Sequence, residues 1–97
     1  MTDAVPSAIT HDVESRHLLK VVDGYRCVLD YRLTGTTMTI THTGVPTAVS
    51  GRGIAGELVR AAAHAARAAG WKIVPACSYA ETYFNRDHSF ADVIVEA

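Results

Sequence analysis

From residue 27 to residue 33 apolar and polar positions alternate. Cys27, Leu29, Tyr31 and Leu33 fall on one side of an extended chain, and Val28, Asp30 and Arg32 on the other. That period of two predicts a strand with one buried face. Residues 16–22 read as the strand before it, and Asp23-Gly24 supplies the two positive-φ positions of a tight hairpin turn. Thr34-Gly35 is a second hairpin turn. It leads into a third strand, residues 36–43, with Met38, Ile40 and His42 on one face and Thr37, Thr39 and Thr41 on the other. Three strands joined by such short turns predict an antiparallel meander.

Pro46 ends the third strand, and beyond it the period changes. Ile54, Leu58, Ala62, Ala65 and Ala69 recur at helical spacing along one flank. Glu57, Arg60, His64 and Arg67 run down the other, and Gly70 stops the helix. Residues 71–76 are short, apolar and bounded by turn signals, as expected of a buried fourth strand. Ser78-x-x-Glu81 reads as a capping box that opens a second helix, from Tyr79 to about Arg86. Residues 88–95 fit either a short helix or an extended segment. Residues 1–10, which include Pro6, are expected to fray. The order β-β-β-α-β-α predicts an α+β fold, with helices layered on a sheet, in a single domain spanning residues 1–97.

Composition narrows the function classes. A chain of 97 residues, 48% hydrophobic and 20% charged, suits one modest core. The formal net charge is −1 and the basic residues are scattered, so no nucleic-acid partner is expected. The apolar runs are far too short to span a membrane, and the first ten residues lack the basic flank and apolar centre of a signal peptide. A cytoplasmic protein is expected. In that reducing setting Cys27 and Cys77 are read as free thiols. The five histidines are dispersed, without metal-ligand spacing, and no metal is expected.

The stretch with the most chemical content is Val49-Ser50-Gly51-Arg52-Gly53-Ile54-Ala55-Gly56, which runs straight into the first helix. Free backbone N–H groups at the positive end of a helix dipole suit a pyrophosphate, and glycines let an anion approach the backbone. The same residues also fit plain turn chemistry at a helix entry. His42 is a candidate general base or a histidine hydrogen-bonded at a strand end. Cys27, in mid-strand, reads as core. His64 reads as solvated, and Trp71 as structural or as a border of a bound cofactor.

Three blocks resemble the GNAT acetyltransferase superfamily, and more closely its small branch of roughly hundred-residue proteins. They are His42-Thr43-Gly44-Val45-Pro46, the loop and helix from Gly51 to Val59, and Val74-Pro75-Ala76-Cys77-Ser78-Tyr79. A weaker echo runs from Tyr83 through His88-Ser89-Phe90-Ala91-Asp92, so the likeness spans roughly residues 16 to 95. The resemblance implies an N-acetyltransferase that moves an acetyl group from acetyl-CoA to an amine, such as one on a protein or peptide. It implies that the backbone of Gly51, Arg52, Gly53, Ile54 and Ala55 holds the pyrophosphate and that Val45 meets the pantetheine. It also implies Cys77 facing the acetyl group, with direct attack and an acetyl-Cys77 route both open, and Tyr83 as proton donor to the departing thiolate. The chain departs from the pattern twice: Ser50 occupies a position where the superfamily has Arg or Gln, and, at 97 residues, the N-terminal helical segment that covers the acceptor site in full-sized relatives is expected to be missing. Both also suit a non-catalytic acyl-CoA-binding or partner-binding module.

Overall fold

A computed structural model describes residues 9–95. In it β2 (His17–Val22), β3 (Tyr25–Thr34) and β4 (Thr37–Gly44) pair antiparallel in chain order, as the alternation predicts. Asp23 at φ 51° and Gly24 at φ 81° form the turn between β2 and β3. Two successive left-handed residues give the turn a twist that matches the strands it joins. A short strand that the pattern does not signal, β1 (Thr10–Asp12), pairs with β2. It takes in the last residue of the stretch expected to fray; residues 1–8 of that stretch lie outside the described residues.

α1 (Ile54–Ala69) carries the chain back along the sheet, and β5 (Lys72–Pro75) then joins β4 in parallel. The sheet order is β1-β2-β3-β4-β5. α1 ends as expected at Gly70, whose φ of 79° lets its N–H reach Arg67 O while the N–H of Trp71 reaches Ala66 O at 2.8 Å. α2 (Ser78–Arg86) follows β5. The last segment takes both of its expected forms: a 3₁₀ stretch, His88–Val93, and then Ile94 in a parallel bridge to Ile73.

One apolar core lies between the sheet and the helices. Leu18, Cys27, Leu29, Tyr31, Met38, Ile40 and Ile73 come from the strands, and Ile54, Leu58, Val59, Ala62, Ala63 and Ala66 from α1. This corrects the expected helix face. Ala65 is half-buried and Ala69 exposed, while Val59, Ala63 and Ala66 are buried. Alanine occupies so many positions from residue 61 to residue 69 that periodicity could not select the face; packing of Leu58 and Val59 on the sheet does.

A second correction concerns His42. The register between β3 and β4 shifts so that Asp30 pairs with His42 and Tyr31 with Ile40, which leaves Thr41 as an extra residue. One extra residue in a strand reverses every side chain beyond it. Met38 and Ile40 therefore stay buried, His42 turns outward and is exposed, and Thr43 stands opposite buried Leu29. A third correction concerns the cap of α2. Cys77, not Ser78, is the N-cap: its backbone is extended at φ −90°, ψ 147°, and its sulfur accepts the N–H of Ala80 at 3.3 Å. Ser78 already belongs to the helix.

Lys20 is the one buried charged residue among those described, at 7% exposure. The alternation in β2 that buries Leu18 also turns Lys20 inward, where its ammonium pairs with Glu57 in the first turn of α1. Removing the carboxylate strands the cation, whereas replacing the cation with an apolar side chain does not. Glu57→Ala is thus expected to lower unfolding free energy by about 1–3 kcal/mol. Lys20→Met should change it by about 1 kcal/mol or less. Urea denaturation of the two variants checks the asymmetry.

Candidate functional site

From the end of β4 the chain passes Val45 and Pro46 into a 3₁₀ turn, Thr47–Val49, anchored by buried Val49. Ser50 closes that turn on itself: its N–H and its hydroxyl both donate to Thr47 O, at 3.1 and 2.9 Å. Gly51 at φ 79° and Gly53 at φ 77° then bend the loop into α1. Left-handed backbone explains the glycines, for a Cβ at either position would meet nothing within 4 Å. Gly53 caps α1 without a side-chain hydrogen bond. The first-turn amides therefore lack a side-chain partner, at the end of a 16-residue helix where the dipole favours an anion. Ile54 points its side chain into the core and offers only backbone, while Ala55 is half-buried. Arg52 is tied back to the hairpin turn by a 2.9 Å ion pair with Asp23.

Beside this loop the sheet opens. β4 and β5 pair from Thr37↔Lys72 to Ile40↔Pro75 and no further. Ile40 O accepts the N–H groups of both Ala76 and Cys77 at 3.0 Å, and the chain then turns away into α2. β4 meanwhile stays paired with β3 as far as Gly44. The gap that results has Thr43 on one side and half-buried Cys77 on the other, with Thr43 Oγ1 and Cys77 Sγ 3.5 Å apart. Among the described residues, no backbone pairing with β5 continues along β4 beyond Ile40.

α2 packs against the first turn of α1. A Cβ at Gly56 would lie 3.3 Å from the Tyr79 hydroxyl and 3.5 Å from the Tyr83 ring, so Gly56 permits the close approach. Both tyrosines thus stand next to the Gly-rich loop. The Tyr83 hydroxyl donates to Asp87 Oδ2 at 2.9 Å. Burial, aided by the Asp87 carboxylate, pushes the Tyr83 phenol above its ordinary value. Asp87 is held below the usual carboxylate range by the hydroxyl and amide of Ser89 and then by Tyr83.

The fold thus sets Gly51, Arg52, Gly53, Ile54 and Ala55 at the entry to α1 with Tyr83 beside Gly56, places Cys77 beside Thr43 just before Val45, and sets His42 apart on the exposed face of β4. There the His42 imidazole lies over Gly44, where a Cβ would come within 2.9 Å of its Nε2. Sequence reasoning passed over Thr43, Gly56 and Asp87. Gly56 had a signal, as the third glycine of the loop; Asp87 is four residues beyond Tyr83, one helical turn away. Among the described residues no group of three or more His, Cys, Asp or Glu is placed to hold a metal ion. No helix among them is long and apolar enough to cross a membrane.

Since the folded-state pKa of Asp87 is depressed, its contribution to stability is complete above the unfolded carboxylate value and is lost as pH falls through the folded value. Asp87→Asn is expected to flatten the acid limb of a plot of melting temperature against pH, below about pH 4. The same substitution should let Tyr83 ionise at lower pH, read from phenolate absorbance in a spectrophotometric titration.

The comparisons agree with this architecture. The family model for GCN5-related N-acetyltransferases matches residues 16–93. The solution structure of a GCN5-like protein from Staphylococcus aureus superposes with a TM-score of 0.75 at 24% identity, covering 97% of this chain and 93% of that one. Among curated proteins, none matches. With the family model covering the sheet from β2 onward, both helices and the Gly-rich loop between them, the chain belongs to the GCN5-related N-acetyltransferase family.

Proposed function

We propose that this protein binds acetyl-CoA along the edge that joins the Gly-rich loop to the β4–β5 gap, and moves the acetyl group to an amine. One observation carries the reading. An uncapped helix N-terminus entered through two left-handed glycines adjoins an opening in the sheet that holds a thiol. Those residues suit acetyl-CoA: the amides of residues 51–55 would hold the pyrophosphate, and the backbone at Val45 the pantetheine. When bound, acetyl-CoA supplies an activated thioester. The chain's own groups orient it, keep water from it and move protons around it. Cys77 would face the acetyl group, either as a wall of the site or as a nucleophile that carries the acetyl group in passing. Thr43, 3.5 Å from the sulfur, fixes the thiol's direction. His42 lies on the exposed face of β4, opposite to Thr43, and would take the proton only of an amine that approaches over that face. Tyr83 would protonate the leaving thiolate only on turning its hydroxyl away from Asp87, whose carboxylate favours the protonated phenol in the meantime.

A second reading, an acyl-CoA-binding module without turnover, draws support from two contacts. The Ser50 hydroxyl is spent on Thr47 O, and the Tyr83 hydroxyl on Asp87.

Titration calorimetry with acetyl-CoA is expected to show micromolar binding. Gly53→Asp, which sets a carboxylate among the free amides, should weaken it by at least about tenfold. Acetyl transfer to polyamine, peptide or protein pools should then disappear in Cys77→Ala or His42→Ala while binding persists. Binding with no turnover on any pool would favour the binding module. The absence of both heat and a shift in melting temperature at high acetyl-CoA would sink both readings.

A further inference from the structure

A hollow of about 320 Å³ lies between the hairpin end of β2 and the entry to α1. Four charged side chains line it, and they form two ion pairs, Lys20 with Glu57 and Arg52 with Asp23. We infer that Lys20 is a positioning residue for the anion site at residues 51–55. By holding the Glu57 carboxylate at β2, it keeps that negative charge from competing with the pyrophosphate of acetyl-CoA. This rests on the acetyl-CoA reading above.

The conflict that Lys20 resolves comes from the position of Glu57. Its N–H is bonded within the helix, to Gly53 O at 3.1 Å, so its carboxylate belongs to the turn whose earlier amides lack a partner in α1. The dipole that favours a ligand anion there favours a carboxylate of the same turn just as well. Left unpaired, Glu57 would either swing back onto those amides or stand beside them as a fixed negative charge. Each costs affinity for a polyanion.

Lys20 approaches from the sheet. Its side chain is 8% exposed, so salt screens this pair less than Arg52–Asp23, whose side chains are both half exposed or more. Ile54 and Arg52 of the loop line the same hollow, which places the pair next to the anion site. With all four groups present the charges of the hollow cancel. Without Lys20 one carboxylate is left in excess beside the loop.

Stability does not account for an ammonium at this position. A buried ion pair holds a fold together about as well as apolar side chains of similar volume. The neighbours of Lys20 on the same face, Leu18 and Cys27, are apolar and fully buried. A counter-charge for Glu57 at the anion site does account for it.

The test is titration calorimetry of acetyl-CoA into the full chain, with Lys20→Met, Glu57→Gln and the double variant compared with the unaltered protein. At about 0.05 M salt Lys20→Met should weaken binding at least about threefold. Glu57→Gln should tighten it at least about twofold, and the double variant should bind within about twofold of the unaltered protein. The loss in Lys20→Met should shrink at about 0.5 M salt, where exposed charges are screened. A merely structural role would weaken binding in both single variants, would not be restored in the double variant, and would ignore salt; that pattern overturns the role of Lys20. If Glu57→Gln melts too low to titrate, the salt dependence of Lys20→Met decides alone. If the unaltered protein binds and Lys20→Met binds equally well, the role of Lys20 falls and the cofactor site stands. If the unaltered protein does not bind acetyl-CoA, both fall.

Discussion

Two amide hydrogens converge on the carbonyl of Ile40, those of Ala76 and Cys77, and that shared acceptor ends the parallel ladder between β4 and β5. On the other strand the extra residue at Thr41 bends β4 at the same level. The sheet therefore parts at one defined point instead of fraying along its length. That parting places Cys77 and Thr43. Cys77 is the residue at which the chain leaves the sheet and enters α2, so its thiol is both helix cap and wall of the gap. Thr43 faces it because the bulge turns the strand over.

The helices hold this opening in register with the Gly-rich loop. α1 is rich in alanine on its buried side, which lets its axis lie close to the sheet, and Gly56 extends that closeness to α2. At the other end Arg67 clasps the C-terminal segment. It bonds to Asp92 and to Ser89 O, and its guanidinium lies 4.9 Å above the centre of the Phe90 ring. Lys72 adds a bond to Asp92 O, and the N–H of Val95 reaches Ile73 O. These contacts bring Ile94 and Val95 alongside β5, where they form a wall of a cavity beside α2. α2 consequently separates two environments of opposite character. The first-turn amides of α1 lie on one side, and exposed Glu81 and Asp87, bonded to Ser89, lie on the other; the Tyr83–Asp87 bond joins the two.

The chain's local rhythm determined much of this. Alternation placed β2, β3 and β4, and Asp23-Gly24 specified the turn between the first two because both residues tolerate positive φ. The two glycines and the amphipathic run after them marked the loop and the start of α1, since helix entry and left-handed backbone are short-range properties. What only the tertiary structure decided involves partners distant in sequence. The face of His42 depends on one extra residue in the pairing with β3, which no period within β4 reveals. The buried stripe of α1 was chosen by the sheet it packs on, since a row of alanines offers no contrast of its own. The cap of α2 passed to Cys77 because Ile40 holds that residue extended. The cavity beside α2 exists because the C-terminal segment returns to β5. Strand register, helix rotation and cavity walls are set by contacts between segments far apart in the chain, and a local pattern carries no record of them.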